Sequence, residues 1–145
     1  MRVAVGADHA GFELKERLKE RLKERGVEVF DCGAHGPEST DYPDWAAAVA
    51  ERVAAGTADR GLLVCGTGLG MAIAANRRQR VRAVAINDLY TARLARAHND
   101  ANVLAVGSRV VAPALAEAIL DAFLETPFDG GRHQRRVDKL DGTPA

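Results

Sequence analysis

Residues Leu62–Arg77 read LLVCGTGLGMAIAANR. Leu62–Cys65 has the length and apolar character of a buried strand, and Met71–Arg77 has the composition of a helix. Between them Gly66, Gly68 and Gly70 fall at alternate positions. A strand that passes through a glycine loop into a helix is the building unit of a parallel α/β sheet.

The same unit recurs on both sides. Toward the N-terminus, Arg2–Gly6 is a short apolar run. Leu14, Leu18 and Leu22 then recur every four residues among Lys, Glu and Arg, which predicts a helix ended by Gly26. The charges from Lys15 to Arg25 alternate in sign and read as a solvated face. Val27–Asp31 predicts a second strand, and Pro43–Ala55 a helix with Trp45, Val49 and Val53 as its apolar stripe. Toward the C-terminus, strands are expected at Val81–Ile86 and Val103–Val106, with helices at Leu89–Ala97 and Pro113–Leu124. Gly130 and Gly131 introduce a short helix, Arg132–Leu140, and Asp141–Ala145 reads as a loose tail. Strands alternating with helices predict the α/β class. The expected form is a single Rossmann-like doubly wound domain over residues 1–145, with a five-stranded parallel sheet and helices on both faces.

Composition narrows the function classes. Twenty basic residues balance twenty acidic ones, which argues against general binding to nucleic acid or a membrane surface. No apolar run approaches the roughly 20 residues of a membrane span, and the N-terminal apolar stretch is too short for a signal peptide. A cytoplasmic protein is expected. Cys32 and Cys65 fit no zinc spacing, and in that compartment they are not expected to pair.

In a doubly wound sheet, ligands bind outside the carboxyl ends of the strands. Those ends carry Asp8 and His9, the Cys32 loop, Cys65 with its glycines, Asn87 and Asp88, and Gly107–Arg109. Glycines ahead of a helix let backbone N–H groups approach an oxyanion closely. The order G-x-G-x-G after the third strand is not the dinucleotide fingerprint. Met71, where a C-x5-R phosphatase loop would carry arginine, argues against phosphoryl transfer to the thiol. From the loop alone, a packing cysteine and an activated thiol remain equally open. Asp8 could cap a helix, and His98-Asn99-Asp100 could be a polar turn, although a histidine there could move protons near neutral pH. Arg132 and Arg136, four apart, share a helix face that could be merely solvated or, with Arg109, could hold a phosphate.

Five separated segments carry a family resemblance: GADHAGFELK from Gly6, TDYPD at Thr40–Asp44, CGTGLGMAIAANR from Cys65, HNDANVLAVGSR at His98–Arg109 and GGRHQRRV at Gly130–Val137. In this order they resemble the type B ribose-5-phosphate isomerases, a family that includes allose-6-phosphate and galactose-6-phosphate isomerases. The resemblance implies interconversion of an aldose phosphate and a ketose phosphate with no metal and no organic cofactor. It implies Cys65 as the base between C1 and C2, His98 in furanose ring opening and Thr67 as a helper. Gly66, Gly68, Leu69 and Gly70 match the loop that stabilises the enediolate. Asp8, His9, Asn99, Arg109, Arg132 and Arg136 match substrate-binding positions, the arginines chiefly for phosphate. Family members that place serine at the Cys65 position use a glutamate at the Met71 position as base, so Cys65 with Met71 fits the cysteine branch. The resemblance also implies a homodimer or homotetramer with shared active sites, and no nucleic-acid or membrane partner. An isomerase for another sugar phosphate and a non-catalytic sugar-phosphate sensor are the competing readings; a sensor needs neither Cys65 nor His98.

Overall fold

Strand β1 (Arg2–Ala7) sends Val3, Val5 and Ala7 into one core and Ala4 into another. This is the period-two alternation of a strand covered on both sides. In the computed structural model, which describes residues 1–142, the chain continues through α1 (Phe12–Glu24), β2 (Glu28–Asp31), α2 (Tyr42–Ala54), β3 (Arg60–Cys65) and α3 (Leu69–Ala75). It ends with β4 (Ala83–Ala85), α4 (Leu89–Ala97), β5 (Val103–Gly107), α5 (Pro113–Glu125) and α6 (Arg132–Asp141). The sheet order is β2-β1-β3-β5-β4, with every neighbouring pair parallel.

Leu14, Leu18 and Leu22 of α1 join Ala92 and Ala95 of α4 and Ile119, Leu120 and Phe123 of α5 over Val3, Val5, Leu62, Val64, Leu104 and Val106. Each fully buried leucine contributes about 1.5–3 kcal/mol. On the opposite face Val49, Ala50 and Val53 of α2 and Met71, Ala72 and Ala75 of α3 cover Ala4, Leu63, Val103 and Ala105. These stripes are the helical periodicity legible in the sequence. The five-stranded parallel sheet with helices on both faces is therefore present.

From β1 the chain proceeds to β2 on one side, and from β3 onward it builds the other side. The strand order therefore reverses between the carboxyl ends of β1 and β3, the point at which such a sheet takes a ligand. Helix α6 belongs to neither core. It runs along the amino edge: His133 stacks on His98 at the end of α4, and Asp141 accepts from Arg82 just before β4.

Three expectations need correction. Lys15 is not part of a solvated face but is fully buried. Its Nζ donates to both oxygens of Asp31 at 2.8 and 2.9 Å and to the Ala34 carbonyl at 2.7 Å, so a charged partner and three acceptors offset the burial. Strand β4 is shorter than Val81–Ile86: ahead of it Val81 N–H turns back to the Arg78 carbonyl, and the Asn102 side chain accepts Arg82 N–H. Asp141 is not loose: it ends α6 and pairs with Arg82 at 2.7 Å. The rest of the expected tail, beyond Gly142, lies outside the described residues.

Candidate active site

The site is built at the switch point between β1 and β3. The Val64 carbonyl of β3 accepts Asp8 N–H at 3.3 Å, tying the ends of β1 and β3 together. Buried Asp8 uses Oδ1 to accept Gly11 N–H at 3.0 Å and so caps the turn into α1. His9 is exposed beside it. Its Nδ1 accepts Thr40 N–H at 3.2 Å, which leaves Nε2 to carry the proton of the neutral ring and act as a donor.

Cys65 closes β3 and is 6% exposed. Its sulfur accepts the N–H of Gly68 at 3.1 Å. The loop that follows is pressed against the end of β5. Cys65 and Gly66 carbonyls accept from Ser108 and Arg109 N–H at 2.8 and 3.0 Å. A Cβ on Gly107 would lie 2.6 Å from Thr67 Cα, so only glycine permits that approach. Gly68, at φ +80°, takes the left-handed conformation that turns the chain into α3. Thr67 Oγ1 accepts Leu69 N–H at 3.3 Å. The Arg109 guanidinium lies over Gly66, and the Tyr42 ring lies over Gly70. A thiol, a row of backbone N–H groups, a cation and a phenol thus meet at one mouth. Thr67 and Leu69 also line a cavity of about 190 Å³ with Ala85, Ile86, Asn87 and Val110.

The remaining expected residues are elsewhere. His98 is the C-cap of α4, which runs back from the carboxyl edge to the amino edge of the sheet. Asn99 borders a cavity of about 570 Å³ there, with Asn76, Arg80 and Arg82. Arg132 and Arg136 are exposed on α6 at the same edge. The chain therefore brings together Asp8, His9, Cys65, Gly66, Thr67, Gly68, Leu69, Gly70 and Arg109, and gathers His98, Asn99, Arg132 and Arg136 into a second cluster. The two clusters stand about one strand apart, roughly 16 Å at 3.3 Å per residue.

The second cluster holds groups that sequence reasoning did not single out. His98 and His133 stack with centroids 4.2 Å apart and planes inclined by 7°. Asp129 Oδ2 is 4.0 Å from His98 Nε2. Among the described residues these three form the cluster with metal-ligand types, their ligand atoms within 4.8 Å of one another. A shared ion must lie in both ring planes, and two parallel stacked rings do not provide that. Burial, then the charges of His98, Arg132 and Arg136, push the His133 imidazole below its ordinary pKa, against an opposing pull from Asp129. Tyr42 gives no separate signal in the sequence, because one aromatic at a helix start has no periodicity.

Comparison with known proteins adds to this geometry. The family model described as Ribose/Galactose Isomerase matches residues 3–140. The chain belongs to the ribose/galactose isomerase family. It is 52% identical over 139 residues to ribose-5-phosphate isomerase B of Escherichia coli K12, covering 96% of this chain and 93% of that protein. The Listeria innocua ribose-5-P isomerase B is 45% identical over 141 residues, covering 97% and 95% of the two chains. Among solved structures, ribose-5-phosphate isomerase B of Clostridium thermocellum superposes with a TM-score of 0.96 at 50% identity, covering 98% and 96%. The Mycoplasma genitalium ribose-5-phosphate isomerase B with bound ribulose-5-phosphate gives 0.94 at 41% identity, covering 97% and 94%. Among the described residues, no helix is long and apolar enough to cross a membrane.

Proposed function

We propose that this chain is an aldose–ketose isomerase that interconverts ribose 5-phosphate and ribulose 5-phosphate, with Cys65 as its base and no metal or organic cofactor. The observation that carries the reading is the buried Cys65 sulfur held by Gly68 N–H at 3.1 Å, directly ahead of the glycine loop. A proton on carbon beside a carbonyl is weakly acidic, so its removal needs a base next to the carbon and fixed donors aimed at the developing oxyanion. One turn of chain supplies both. His98 delivers a proton to the furanose oxygen and opens the ring, with Thr67 as helper. The Cys65 thiolate takes the proton from C2, leaving an enediolate that faces the N–H groups of Gly66–Gly70. The proton returns to C1 while the hydroxyl proton passes from O2 to O1. Asp8, His9, Leu69 and Asn99 contact the sugar, and Arg109, Arg132 and Arg136 hold the phosphate, whose binding energy orients the reacting carbons.

In this reading the active unit is a homodimer, or a tetramer built from such dimers, whose partners share each site. Support comes from the separation of Cys65 from His98 within one chain. It also comes from the apolar rim beside the glycine loop: Leu69, Ile73 and Val110 are 60%, 69% and 50% exposed. A cytoplasmic setting fits the two free cysteines, Cys32 and Cys65.

The test follows ribose 5-phosphate by phosphorus NMR with wild type and Cys65→Ala, in the presence of a chelator. Ribulose 5-phosphate is expected with wild type only. Equal conversion by both proteins would remove Cys65 from the mechanism. A tenfold or greater preference in kcat/KM for another sugar phosphate would reassign the substrate within the family.

A further inference from the structure

The role proposed for His98 requires its ring to be held, yet its own surroundings hold it weakly. The side chain is 39% exposed, and its nearest carboxylate, Asp129, stands 4.0 Å from Nε2, beyond hydrogen-bond reach. The imidazole torsion is broad, so an unbonded ring turns easily. What faces it is His133, 4.2 Å away and inclined by only 7°. His133 is itself 9% exposed and is anchored with Val137, 3% exposed, on the inward face of α6.

We propose that His133 is a positioning residue: its buried ring is the flat wall that sets the plane of His98 for proton delivery to the furanose oxygen. This rests on the reading of His98 as the ring-opening acid. In that step the bond from C1 to the ring oxygen breaks, the ring oxygen gains the proton delivered by His98, and the C1 hydroxyl loses its proton to water as the aldehyde forms. The charged groups around the pair are Asp129, Arg132 and Arg136. Burial and its cationic neighbours hold His133 below its ordinary pKa, which suits a neutral wall.

The chemistry of the two sugars isolates the step. Ribulose 5-phosphate cannot close a furanose, because its C5 oxygen carries the phosphate. Exchange of its C1 proton with deuterated solvent therefore reports on Cys65 and the glycine loop without ring opening. His133→Leu fills the space without a flat face, and His133→Phe keeps the face without a titratable group. The Leu variant is expected to lower kcat/KM for ribose 5-phosphate about tenfold or more, because a misplaced catalytic group is costly. Its C1 exchange is expected to stay within about threefold of wild type, and the Phe variant within about threefold on both measurements. The proposal is overturned if Leu lowers both reactions together, if Leu lowers neither, or if Phe is as impaired as Leu. Thermal melting checks folding; should the Leu variant not fold, a folded Phe variant decides, retained conversion supporting the proposal and lost conversion overturning it. Wild-type protein that performs neither reaction removes the isomerase reading itself, and this one with it.

Discussion

Cys65 and His98 stand at opposite ends of the same sheet. Cys65 closes β3 at the carboxyl edge, where it pairs with Gly107 of β5, whereas His98 caps α4 at the amino edge, five residues before β5 begins. Strand β5 separates the two levels by roughly 16 Å, too far for one small sugar to bridge base and acid within a chain. If a second copy supplies the missing half, inactive chains should repair one another. Cys65→Ala and His98→Ala are each expected to lose at least 99% of activity. Co-refolded in equal amounts, half the dimers are mixed, and each mixed dimer has one intact site of two, so about a quarter of wild-type activity should return. A mixture no more active than its components would mean that each chain works alone.

The contact between Gly107 and Thr67 makes a second expectation. A Cβ at Gly107 would sit 2.6–2.8 Å from the Thr67 Cα, carbonyl carbon and carbonyl oxygen, all of them backbone. The loop cannot yield by rotating a side chain, so Gly107→Ala must shift the N–H row relative to Cys65. Overpacking of this kind costs about 1–3 kcal/mol in stability. A displacement of about 1 Å at reacting groups costs on the order of a hundredfold in rate. Gly107→Ala is therefore expected to melt several degrees lower yet fold, with kcat down about a hundredfold and KM changed far less. Unchanged kcat would show that the cradle tolerates movement and does not stabilise charge.

Much of this was legible in the sequence. The leucine repeat of α1 and the apolar strand runs gave the layers, because periodicity reports burial directly. The Cys65 loop was legible because glycines at alternate positions between a strand and a helix mark a close backbone approach to an anion. Lys15 was not: beside Glu16 and Lys19 its charge resembles any solvated helix position, and only the fold reveals Asp31 and the Ala34 carbonyl around it. The separation of His98 from Cys65 was not legible in the residues, although the family resemblance implied sites shared between copies. His98 and Cys65 sit in adjacent motifs along the chain, but a helix running back along the sheet puts them on opposite edges. Asp129 gave no signal, since a single acid in a loop has no pattern.

Lys15 and Asp31 make the stability of the fold depend on acid. Burial alone would raise the Asp31 pKa, but hydrogen bonds from Lys15, Lys19 and Gly33 N–H outweigh it and bring it down to about 2 from an ordinary 3.8. Between these values the unfolded chain binds more protons than the folded one, so stability rises with pH. The contribution is fully present above about pH 4 and is lost as pH falls through about 2; its size is about 2 kcal/mol. Lys15→Met keeps the length of the side chain and removes the charge. It is expected to cost about 2 kcal/mol near neutral pH, since Asp31 loses one of its two lysines and the Ala34 carbonyl loses its donor. It should also flatten the acid dependence, because Asp31 loses the first of its favourable partners. Urea unfolding of both proteins between pH 2.5 and 6 measures this. A variant that loses stability with the same steepness as wild type would show that Lys15 does not hold the Asp31 charge.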